Sequence, residues 1–109
     1  MQIEIQASEN VIQALKALGR TEDVHLSPSN RRLAVAGFKQ NAILILDVEL
    51  APGLVKIPSA LTVTSADFSY PHGAFWLDEE RLIVANRGGQ LAIVQFPTAV
   101  LIERLFLPC

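Results

Sequence analysis

Cysteine is nearly missing from this sequence of 109 residues: Cys109 is the only one. No internal disulfide can form, and no cysteine pair is available to hold a structural metal. A reducing compartment, the cytoplasm, is the expected setting. No cofactor and no metal site are expected either. Charge of one sign is also scarce. Lys and Arg total 9, Asp and Glu total 11, and the net charge is −2. The basic residues are scattered except for the pair Arg31-Arg32. Nucleic acid is therefore not an expected partner, because its phosphates are held by clustered Lys and Arg. Long hydrophobic runs are absent. The longest, residues 42–46 and 99–102, fall far short of the roughly 20 residues of a membrane-spanning helix. The start, Met1-Gln2-Ile3-Glu4, lacks the basic and apolar stretches of a secretory signal.

What is present is apolar. Half of the residues are hydrophobic, and mean hydropathy is +0.34. Such a chain has either an unusually complete core or apolar surface that waits for a partner.

The pattern along the chain is mostly of period 2. Ile3, Ile5 and Ala7 alternate with polar residues and predict a short strand. Ser8 is a natural N-cap, and Val11, Leu15 and Leu18 share one helical face before Gly19. A helix over residues 9–18 follows. Beyond Gly19 no helical period persists. Strands are predicted at 24–27, 32–37 and 42–48, separated by Pro28-Ser29-Asn30 and the connection 38–41. The stretch 42–48 is apolar on both faces, as in a strand buried on both sides. Residues 54–57 and 61–64 share a fourth strand, broken by Pro58. The order then restarts: 73–77, 81–86, 90–96, and a fourth strand within 99–107.

The two passages align. Arg32, Leu33, Val35 and Ala36 fall on Arg81, Leu82, Val84 and Ala85. After a one-residue deletion in the loop, Ile43, Ile45 and Val48 fall on Leu91, Ile93 and Phe96. A period of roughly 40–50 residues with four strands per unit predicts blades of a β-propeller, whose faces are covered by stacking on one another. The expected fold is all-β. Residues 1–20 supply a short strand and helix, 21–66 a first four-stranded antiparallel blade, and 67–109 a second.

The motifs strengthen this reading. Leu26-Ser27-Pro28-Ser29-Asn30-Arg31-Arg32-Leu33-Ala34-Val35-Ala36 resembles the F-S-P-D-G-R-x-L-Y-V-A stretch of YVTN-type and lactonase-type β-propellers. Pro71-His72-Gly73-Ala74-Phe75 followed by Leu82-Ile83-Val84-Ala85-Asn86 resembles their P-H-G-V-x-F and L-Y-V-A-N stretches. Residues 90–96 fit the N-x-V-S-V-F strand. The turn glycine of the family is missing in both copies: Asn30 stands in the first, Glu79-Glu80 in the second. Members of the family have more blades than two. Two blades cannot close a ring, and they would leave two blade faces and several strand edges open. The resemblance therefore implies a piece of a longer propeller, or a homo-oligomer that closes by association. Three copies would supply about six blades, within the usual range of about 4–8.

The resemblance also places candidate ligand residues near one end of a central channel. They are Glu22 and Asp23 in the first copy and Pro71 and His72 in the second. The loops add Phe38, Lys39 and Asn41, then Asn86, Arg87 and Gln90. The imidazole of His72 suits acid–base work or binding. Asp23 aligns with His72, so an acid–histidine pair is expected across the channel. Arg87 beside Asn86 suits a carboxylate or phosphate. Arg87-Gly88-Gly89-Gln90 lacks the spacing of a phosphate-binding loop. His25 reads as a structural histidine. Ser27 and Ser69 lack the context of a serine nucleophile, and Phe75 and Trp76 read as core. The expected function is a propeller-type ligand- or protein-binding module. The alternative is a piece of a lactonase-like hydrolase that opens sugar lactones. Expected partners are further blades, copies of the chain, or a small molecule.

Overall fold

Alternating apolar residues form the strands where the sequence places them, and two sheets result. The structure, a computed structural model, describes residues 2–37, 41–96 and 105–108. In chain order the elements are β1 (Glu4–Ala7), α1 (Glu9–Leu18), β2 (Thr21–Leu26), β3 (Arg32–Gly37), β4 (Ala42–Ala51), β5 (Leu54–Thr64), β6 (Pro71–Trp76), β7 (Arg81–Asn86), β8 (Leu91–Gln95) and β9 (Leu105–Pro108). The first sheet runs β1-β5-β4-β3-β2. The second runs β6-β7-β8, with the short β9 on the far side of β8. All pairings are antiparallel except β1 on β5, which is parallel. Residues 38–40 and 97–104, among them Phe38 and Lys39, lie outside the described residues.

The helix forms as its caps dictate. The Ser8 hydroxyl accepts a hydrogen bond from the Val11 N–H at 3.3 Å. Gly19, at φ 80°, turns the chain out while its N–H bonds the Leu15 carbonyl. Asn30 takes the left-handed conformation, φ 63°, in the turn between β2 and β3. Asparagine tolerates that region better than most side chains.

One strand expected to break does not. β5 runs unbroken through Pro58. Two residues of β5, Ile57 and Pro58, stand opposite Val48 alone, because the register shifts between Asp47 and Glu49. Proline has no N–H to give a ladder, so a bulge is where a strand tolerates it. β4 also reaches three residues further than expected, to Ala51.

The core has two layers. Between the sheets, Ala34, Ala36, Ile43, Ile45 and Val63 meet Ala74, Trp76, Leu82, Val84, Ala92, Val94 and Phe96. On the other face of the first sheet, Val11 and Leu18 of α1 meet Val35, Leu44, Leu46 and Val48. β4 alternates between the two layers, which accounts for its unbroken apolar run. The expectation that two sheet faces stand open is therefore corrected. Helix α1 covers one of them, because Val11, Leu15 and Leu18 form an apolar stripe that must be buried. β1 also covers the β5 edge.

The two sheets repeat one another in register. Leu33 faces Leu46 as Leu82 faces Val94, and Ala36 faces Ile43 as Ala85 faces Leu91. A bulge falls at one place in both first strands, between Thr21 and Asp23 and between Pro71 and Gly73.

Candidate functional site

The bulges decide which residues correspond. Asp23 pairs with Ala36, and Gly73 pairs with Ala85. Ala36 and Ala85 are equivalent, so Asp23 corresponds to Gly73. The residue that corresponds to His72 is Glu22, since both occupy the bulge. The expected alignment of Asp23 with His72 is thus off by one position. The turn between β2 and β3 is one residue longer than that between β6 and β7, since Leu26 pairs with Leu33 where Trp76 pairs with Leu82.

Glu22, His72 and Arg87 line one groove of about 470 Å³. The Glu22 carboxylate accepts from Arg87 at 3.0 Å and from Arg20 at 3.2 Å. Its side chain is 15% exposed, while that of Arg87 is 53% exposed. The hydrogen bond from Arg87, then that from Arg20, holds the Glu22 carboxyl below the usual glutamate value. His72 is exposed at the rim. The groove thus combines an anionic acceptor, a guanidinium donor and an imidazole that can do either.

The other candidates hold backbone. Asp23 accepts from the Ala74 N–H at 3.0 Å. Asn86 is 3% exposed. Its Oδ1 accepts from the Ser69 N–H, and its Nδ2 donates to the carbonyls of Asp67 and Gln90. Asn41, at φ 50°, accepts from the Tyr70 N–H at 2.7 Å. Pro71 is buried and Gln90 is exposed.

His25 has the structural role expected of it. Its Nδ1 accepts from the Trp76 N–H, and its carbonyl accepts from the Trp76 indole Nε1–H, both at 3.0 Å. The proton of the neutral ring therefore lies on Nε2. The ring stacks on Phe75 with centroids 4.4 Å apart. Together with Asp23 it satisfies N–H groups of β6 that point away from β7.

Sequence reasoning missed two partners. Arg20 stands two residues before Glu22 and reaches its carboxylate directly, a local pair at the start of β2. Arg32 was visible as a repeat match, but its role was not. Its guanidinium lies over Trp76 at 4.7 Å and over Phe96 at 5.4 Å, and it pairs with Glu79 at 3.3 Å. These contacts join the two sheets. A second groove, about 640 Å³, is lined by Ser29, Asn30, Arg31, Asp47, Val48, Glu49 and Leu50. It contains none of the candidate residues.

Among the described residues no cluster of three His, Cys, Asp or Glu side chains has the geometry of a metal site. Among them, too, no helix is long and apolar enough to cross a membrane. The chain matches no protein-family model, no curated protein and no solved structure.

Proposed function

We propose that the chain is a propeller-type binding module that works within a larger or oligomeric β assembly. The groove of Glu22, His72 and Arg87 takes its small, polar ligand. One observation carries this reading. Glu22 and His72 stand at the same bulge of two repeated sheets and face a common groove with Arg87. Bulges aim side chains out of the ladder and are common beside binding sites. Propellers bind at the channel end of such first strands, so the resemblance and the groove point to the same residues.

A ligand bearing hydroxyls and one carboxylate suits this lining. Its hydroxyls would donate to Glu22, and its carboxylate would accept from Arg87 and His72. Gluconate, which carries both, is a suitable probe. Titrated into isotope-labelled protein, it should shift the amide signals of residues 21–23, 72–73 and 86–88. Arg87→Ala should abolish the shifts. Shifts that scatter elsewhere, or that survive Arg87→Ala and His72→Ala, would remove the groove from consideration.

The lactonase-like alternative rests on the same His72, acting as a general base on water. Gluconolactone hydrolysis above background, lost in His72→Ala, would favour it. A rate unchanged by that substitution would sink it.

A further inference from the structure

The uncovered face of the second sheet has a counterpart inside the molecule. On the first sheet, Ala34, Ala36, Ile43 and Ile45 form the face that receives the second sheet. Their equivalents on the second sheet are Ile83, Ala85, Leu91 and Ile93. These lie on the side turned away from the core, with Phe75 57% exposed and Leu77 and Leu91 each 43% exposed. The second sheet thus repeats a sheet-receiving face, and no described sheet or helix lies on it, although the His25 ring stacks on Phe75 at the β6 edge. An apolar sheet face of this kind marks an interaction surface.

Two observations decide what can cover it. A second copy cannot add head to tail, because the matching face of its first sheet is occupied by α1. Nor does the second sheet carry the groups that lock a following sheet in place. Asp23 and His25, which capture N–H groups of β6, are replaced by Gly73 and Phe75. Arg32, which bridges to Glu79 and Trp76, is replaced by Arg81, which turns back to its own Asp78 at 2.8 Å. Among the described face positions Arg81 is the only charged residue, and it is already paired. Two such faces can meet without like-charge repulsion.

We infer that two copies of the chain associate through this face, isologously, with the second sheets packed against each other and α1 at both outer ends. An isologous contact uses one self-complementary patch on both subunits. It needs neither an uncovered first sheet nor the missing acceptors. This inference does not depend on the ligand groove. The dimer can fail while ligand binding stands, and the reverse.

Light scattering coupled to size exclusion, run from about 1 µM to about 1 mM, tests it. The mass should rise to that of a dimer and stop there. Leu91→Lys and Ile93→Lys should each return the chain to a monomer, whereas Gln13→Lys on the outer side of α1 should leave the dimer intact. Far-ultraviolet circular dichroism shows whether each variant is folded. Leu91 lies at the exposed start of β8, so its variant keeps the test available should Ile93→Lys unfold. A monomer at every concentration would overturn the inference. So would a trimer or higher ring, or a dimer that survives in folded Leu91→Lys.

Discussion

The two sheets share strand order and register, yet they live in different surroundings. The first is covered on both faces, by the second sheet and by α1. Among the described residues the second is covered by a sheet on one face only. The substitutions between the copies follow that difference. Asp23 and His25 become Gly73 and Phe75, and the bridging Arg32 becomes the locally paired Arg81. Gly37 becomes Asn86, because the first sheet must admit Leu18 at that point. A Cβ on Gly37 would lie 2.2 Å from the Leu18 Cγ. A repeat therefore keeps its ladder where both copies need it and changes wherever only one copy has a neighbour.

The sharpest break of the comparison is at adjacent residues of β6. Trp76→Ala removes a ring packed between the sheets and should cost about 3–5 kcal/mol. Phe75→Ala, on the uncovered face, should cost less than about 1 kcal/mol. Urea midpoints at constant slope measure both, and equal losses would show that the two faces are equally buried.

Gly37→Ala should come next, at about 1–3 kcal/mol, since it overpacks the contact with α1. Amide exchange should rise first in residues 9–18. A neutral effect would mean that Leu18 can move aside.

Placing the second copy's residues in the first, with Asp23→Gly and His25→Phe together, should cost about 1–3 kcal/mol. The N–H groups of Ala74 and Trp76 lose their acceptors. Faster exchange at these two amides is the specific readout. Unchanged exchange there would show that the contacts between β2 and β6 do not hold the sheets together.

The smallest effect concerns acid. Burial tends to raise the Glu79 carboxyl, but hydrogen bonds from Ser29 and Ser27 and the charge of Arg32 outweigh it, so the folded value is lowered from 4.5. A lowered folded value contributes stability above the unfolded value and loses it as pH falls through the folded one. Wild type should therefore exceed Glu79→Gln in thermal midpoint at neutral pH, and the gap should close below about pH 4.5. A gap that persists in acid would assign the effect to packing.

Much of this was legible in the residues. Period-2 alternation set strand against helix, and the Ser8 and Gly19 caps bounded α1 at the expected residues. The aligned apolar positions located equivalent strands, and the loop deletion left their register intact. The difference in turn length was not legible. The turn before β3 is one residue longer than that before β7, nothing in the turn residues marks the insertion, and so the partner of His72 was misplaced by one. Glu79 was silent for another reason. Its partners, Ser29 and Arg32, lie about one repeat away in the chain, and nothing local marks a charge that pairs across a fold.

The sequence by itself determined the alternation of strands and turns, the helix, and the repetition of one unit. Those depend on neighbouring residues and on the need to bury every second side chain. The tertiary structure alone decided that α1 closes one face of the first sheet, that Glu22 joins His72 and Arg87 in one groove, and that the second sheet keeps a face uncovered. Each of these depends on which surfaces meet, and the local pattern leaves that choice open.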